Sequence, residues 1–118
     1  MAYIFTTKCA TKSPAQIWAF IQNGLSKDVI IKSIKEKLPY TVNHVTEEEI
    51  SFSAETRNDG EAEIIRLVDF ITVIDRLKKL EQFNTSSSKE AFKGTMIYKK
   101  RSPFFALLLS SAVIQKQG

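Results

Sequence analysis

Three cations in a row, Lys99-Lys100-Arg101, run directly into Ser102-Pro103. Ser followed by Pro marks a helix start, with the hydroxyl at the cap and the ring at the first helical position. The first turn of a helix leaves backbone N–H groups free and carries the positive end of the helix dipole, so it attracts anions. Two ammonium groups add point charges there, and the Arg101 guanidinium adds a planar fork that matches two phosphate oxygens. Lys78 and Lys79, with Lys89 and Lys93, widen the patch if the fold brings them together. The chemistry this spacing favours is phosphate binding by Lys99, Lys100, Arg101 and Ser102, with Lys78 and Lys79 beside them. The plainer alternative is a solvated basic connector ahead of a buried helix, since short basic tracts are common on surfaces.

Other chemistry finds little support. Cys9 and His44 are the only residues of their types, so the Cys/His set of a structural zinc site cannot be assembled from one chain. One cysteine also excludes an internal disulfide and fits a reducing, cytoplasmic setting. A Cys9–His44 nucleophilic pair lacks a recognisable third residue to orient it. Glu47-Glu48-Glu49 suggests a divalent cation, but consecutive residues of a hairpin point in different directions. The run reads better as a solvated turn that discourages edge pairing. No GxxxxGK[ST], GxGxxG, HExxH or GxSxG motif occurs, and 4 glycines in the chain leave no glycine-rich phosphate cradle. A non-catalytic protein without cofactor or metal is expected.

Charge is distributed in blocks. The net charge of +4 over 118 residues hides an acidic segment between two basic ones. Residues 1–46 carry a net +4, residues 47–63 a net −6 with Arg57 as their lone base, and residues 64–118 a net +6. Such blocks suit a polyanion or an acidic partner.

The elements that must hold these residues can be read from periodicity. Ala2 to Lys8 reads as a strand with Cys9 near its end. Ser13-Pro14-Ala15-Gln16 is a capping box that opens a helix, and Ile17, Phe20 and Ile21 form its inner stripe up to Gly24. Trp18 falls off that stripe and is expected at an edge. Ser26 reads as the cap of a second helix, with Ile30, Ile31, Ile34 and Leu38 inward and Pro39 ending it. Period two takes over at Tyr40: residues 40–55 read as a β-hairpin around Thr46–Glu49, with Tyr40, Val42 and His44 on one face. Asn58-Asp59-Gly60 turns the chain into a third strand, Ala62 to Leu67, which completes a meander over residues 40–67. Asp69 reads as the cap of a long helix, residues 70–83, with Phe70, Val73, Ile74, Leu77 and Leu80 inward.

Asn84 to Gly94 is a polar loop with room for one helical turn at Ser88–Phe92, and Thr95–Tyr98 reads as a fourth strand. Residues 103–114 are apolar nearly all round, as in a buried helix or one completed by a second subunit. Tyr3, Phe5, Trp18, Tyr40 and Phe52 would stack on bases if exposed, but their spacing predicts that most are core. A winged helix with residues 40–55 as its wing is disfavoured, because the segment after Ser26 lacks base-reading Arg, Asn or Gln.

Together these elements predict a single small α+β domain over residues 1–118. It has an antiparallel meander (40–67), N-terminal helices, a long helix (70–83) and a buried C-terminal helix (103–114). The 12 apolar residues from Pro103 to Ile114 fall short of the ~20 needed to span a bilayer, and no secretion signal is visible. The expected function is a small DNA-binding accessory module in the cytoplasm. The other candidate class is a protein-interaction or assembly domain, a homodimer above all, that uses the apolar C-terminal helix.

Overall fold

Ser13, Pro14 and Gln16 form the cap their spacing predicts. In the computed structural model, which describes residues 2–25, 30–32, 39–55 and 57–117, the Ser13 hydroxyl accepts the Gln16 N–H at 3.2 Å. The Gln16 side chain accepts the Ser13 N–H at 2.9 Å in return. Helix α2 follows over Pro14–Gly24. Ahead of it lie strand β1 (Tyr3–Phe5) and one turn of helix, α1 (Thr7–Ala10). Cys9 is therefore a buried residue of a helical turn and not the end of a strand.

The meander forms with one strand more than periodicity predicts. Strands β2 (Ile30–Lys32), β3 (Pro39–Val45), β4 (Glu49–Ser53) and β5 (Glu63–Arg66) make an antiparallel sheet in that order. The β2 strand corrects the second helix expected from Ser26: Ile31 pairs with Tyr40 and both are buried. Two adjacent β-branched residues next to a free hairpin edge gain more from pairing than helix spacing offers. Ser26, Ile34 and Leu38 lie outside the described residues.

A bulge between Val42 and His44 shifts the register by one residue. His44 thus faces solvent, opposite Ser51, and Val45 opposite Ile50 takes the inward place. One inserted residue in a pleat of period two exchanges the faces of everything after it.

Helix α3 (Leu67–Leu77) continues directly from β5 and stops before Leu80, which is exposed. Arg66 holds the cap position, so Asp69 is a first-turn acid and not the cap; its carboxylate accepts the Met96 N–H at 3.4 Å. The short helix α4 (Lys89–Phe92) ends on carbonyls held by the Arg76 guanidinium, at 3.1 Å to Ala91 and 2.8 Å to Lys93. Ahead of α4, Asn84 Oδ1 accepts the N–H groups of Ser86 and Ser87 and knits the serine run into a turn.

Helix α5 (Arg101–Ser110) is the centre of the molecule. The inner sheet face covers one side, where Ile31, Ile50 and Ile65 leave a void of only about 10 Å³ against Pro103 and Leu107. Phe104 meets Phe70 of α3 and Phe92 of α4, with ring centroids 5.6 and 5.1 Å apart. Phe105 meets Tyr3 of β1 at 6.0 Å. Phe104, Phe105, Ala106, Leu107 and Leu108 are all buried within the single chain. The surface that suggested a dimer is thus covered by the protein's own sheet and helices. Trp18 is a further correction: it is 3% exposed, edge-to-face with Phe70 at 5.0 Å, and its indole N–H has no partner among the described residues.

The apolar run does not continue as helix to Ile114. Ala112 takes φ 59°. Its N–H reaches the Leu109 carbonyl at 3.1 Å, and the Val113 N–H reaches Leu108 at 2.9 Å. This is a Schellman closure with alanine where glycine is usual, and buried Val113 supplies its apolar contact. The chain then forms β6 (Ile114–Lys116), antiparallel to β1, while the Tyr3 backbone also exchanges hydrogen bonds with Phe83 at 2.7 and 3.1 Å. A left-handed alanine costs about 1 kcal/mol. Ala112→Gly is therefore expected to raise stability by about 0.5–1 kcal/mol in chemical denaturation; a lower midpoint would contradict the strained cap. Among the described residues no helix is long and apolar enough to cross a membrane.

The result is a small α+β globule, as the residue patterns predict, with α5 as its central element.

Candidate functional site

The basic run after Tyr98 is held in an unexpected way. Thr95–Tyr98 forms no strand. The Thr95 hydroxyl donates to the Phe92 carbonyl at 2.7 Å and accepts the Ile97 N–H at 3.3 Å, which starts a single 3₁₀ turn at Tyr98–Lys100. That turn leads straight into α5, with Lys100 at the cap position and no side chain capping. Ser102 lies in the first turn of α5, exposed, and not at its cap. The expected helix start at Ser102 is displaced because the Thr95 hydroxyl begins the helical turn earlier.

The turn is fastened from the sheet. Arg57, which follows β4, donates through Nε to a Glu63 carboxylate oxygen at 2.7 Å and through Nη2 to the Lys99 carbonyl at 3.0 Å. The Glu63 side chain is only 9% exposed. The β4–β5 connection that carries Arg57 closes through Asp59 at φ 53° and Gly60 at φ 80°. Arg101 turns back on Tyr98: its guanidinium lies 4.5 Å from the ring centroid, and Nη1 donates to the Tyr98 carbonyl at 2.7 Å.

Between the edge strand β5 and the 95–100 segment lies an open concavity of about 830 Å³. Arg57, Lys99 and Lys100 are among its lining residues along with Glu63, so three basic residues share it with one acid, which is already paired with Arg57. Tyr98 and Met96 line it too, 38% and 79% exposed. The acidic block contributes on both sides of this picture. Glu47 and Glu48 stand at the β3–β4 turn, at the far end of the sheet, whereas Glu55, Asp59 and Glu61 stand exposed on the loop that carries Arg57. The cationic side of the concavity is accordingly the Lys99–Lys100 side.

Lys78 and Lys79 do not join it. Lys78 donates to the Ala10 carbonyl at 2.9 Å and lies 5.1 Å from the Phe5 ring centroid, while Lys79 pairs with Asp75 at 3.7 Å. Both follow the C-terminal end of α3, whereas Asp69 near its start touches Met96. The eleven residues of α3 put about 16 Å between those ends. Lys89 is exposed on α4 and Lys93 pairs with Glu90 at 3.8 Å. Of the expected patch, Lys99 and Lys100 line the concavity, Arg101 backs the Tyr98 ring, and Ser102, Lys78 and Lys79 stand apart. Arg57, Tyr98 and Met96 are additions that periodicity does not reveal. The one available signal is that Arg57 is the lone base of an acidic segment.

The other candidates form no cluster among the described residues. His44 Nε2 and Glu49 form an exposed pair at 2.9 Å, and no group of three His, Cys, Asp or Glu residues suited to a metal occurs among the described residues. Of the five aromatics considered as stacking platforms, Tyr3, Trp18, Tyr40 and Phe52 are buried, and Phe5 packs on Phe83. No protein-family model, curated protein or solved structure matches the chain.

Proposed function

We propose that this chain is a small non-catalytic module that binds the phosphate backbone of nucleic acid, DNA in the first instance, at the concavity lined by Lys99, Lys100 and Arg57. The observation that carries it is the hydrogen bond from Arg57 to the Lys99 carbonyl, which fixes cations from two distant segments around one open depression. Ammonium groups at such a depression displace condensed counterions from a polyanion, and that release drives binding. The buried, reduced Cys9 suits a cytoplasmic setting. An assembly role for the apolar C-terminal helix is less favoured, because Phe104 to Leu108 are buried within the single chain.

The test is a fluorescence-anisotropy titration with labelled DNA across a salt series. Lys99→Ala with Lys100→Ala is expected to weaken binding and to flatten the slope of log K against log salt by up to about 1.4–1.8, two contacts' worth. Folding should be nearly unchanged, since exposed charges away from special features contribute within about 0.5 kcal/mol each. An unaltered titration would retire the site.

A further inference from the structure

Of the several features outside the cation cluster, the one with a chemistry of its own is the Tyr98 ring. Tyr3, Trp18, Tyr40 and Phe52 are in the core, and Phe5 is half-buried against Phe83 with the Lys78 ammonium 5.1 Å from its ring centroid. Tyr98 lines the concavity 38% exposed, and its only ring-range partner among the described residues is the Arg101 guanidinium. The backbone that carries the ring is fastened, and the Arg101 guanidinium backs the ring itself at 4.5 Å. Arg101 holds the Tyr98 carbonyl at 2.7 Å, the Lys100 N–H holds the Ile97 carbonyl at 2.9 Å, and Arg57 holds the Lys99 carbonyl at 3.0 Å. A preorganised aromatic loses little conformational freedom when a ligand stacks on it. Met96, 79% exposed on the same lining, adds a polarizable thioether that packs against flat rings.

We propose, on the basis of the nucleic-acid reading above, that the ligand is a single strand: one unpaired base stacks on Tyr98 while Lys99 and Lys100 hold the flanking phosphates. Arg101 is a positioning residue that backs the ring. Shape favours a strand over a duplex. Proteins that read a duplex push a helix or ribbon out into a groove, whereas these cations line an inward depression. The depression is open to solvent and holds about 830 Å³, room for a nucleotide to lie in it without being enclosed. A base with its sugar fits that description, and every base has a π-face to offer.

The experiment uses the full chain and four probes of about 12 nucleotides, within the usual footprint of one binding fold. The probes are oligothymidylate, oligouridylate, an abasic strand of equal charge, and a blunt duplex. Binding is followed by anisotropy at low salt. The strands with bases are expected to bind more tightly than the duplex or the abasic strand. Tyr98→Leu should cost about 5- to 150-fold on oligothymidylate, with the salt slope unchanged and no loss on the abasic strand. Tyr98→Phe, which keeps the ring, should bind like the parent chain. Comparison of oligouridylate with oligothymidylate shows whether RNA or DNA is preferred. Should Tyr98→Leu bind oligothymidylate as the parent does, or the duplex bind as well as the strand, stacking is overturned while a lysine-dependent phosphate site stands. If no probe binds at low salt, both the single-strand proposal and the nucleic-acid reading fall. Thermal melts of each variant by circular dichroism confirm that a loss of binding reflects the site and not the fold.

Discussion

Leu108→Lys is expected to abolish cooperative folding of the isolated chain. Leu108 is fully buried in α5, and its carbonyl accepts the Val113 N–H that closes the helix. Removing the leucine alone costs about 2–5 kcal/mol. An ammonium left in its place, inside the apolar core, adds several kcal/mol more of desolvation. The sum approaches or exceeds the 5–15 kcal/mol that holds a typical domain together. Far-ultraviolet circular dichroism should show the loss, and sedimentation of the parent chain should give a monomer near 13.4 kDa. A folded Leu108→Lys chain with half the mass of the parent would mean that Leu108 faces a partner subunit, and would refute the enclosed helix.

Phe104→Ala is expected to have the next largest effect. Its ring sits between Phe70 and Phe92 and also meets Phe105 at 6.3 Å, so it ties α3, α4 and α5 into one aromatic cluster. Truncation of such a ring costs about 3–5 kcal/mol, because rigid neighbours cannot close the space. For a domain of this size that corresponds to a melting temperature about 10–25 °C lower. A shift below about 5 °C would show that the cluster relaxes around the gap. The contrast with the binding-site variants is sharp: Lys99, Lys100 and Tyr98 should change ligand affinity at nearly constant melting temperature.

Local chemistry was legible where a few adjacent residues decide the outcome. The Ser13–Gln16 capping box, the hairpin over residues 40–55, the strand after Gly60 and the inner stripe of α3 all depend on spacing within one or two turns or strands. Hydrophobic periodicity carries that information directly. The acidic turn and the basic run were visible for the same reason.

What failed to show was whatever depends on a partner far along the chain. Ile30-Ile31 reads as part of a helix until the edge of β3 is present to pair with it. The apolar stretch after Pro103 suggests a missing subunit until the sheet, α3, α4 and β1 are seen to bury Phe104 to Leu108. The basic patch shows both effects. Its lysines are written in the sequence at 99 and 100, but only the tertiary structure separates them from Lys78 and Lys79 by a helix length and joins them to Arg57. Sequence by itself determined the α+β class and the elements built by local spacing, because capping and amphipathicity act over a few residues. The tertiary structure decided β2, the enclosure of α5 and the composition of the concavity, because strand pairing and burial are contacts between segments whose separation the chain's own order does not encode.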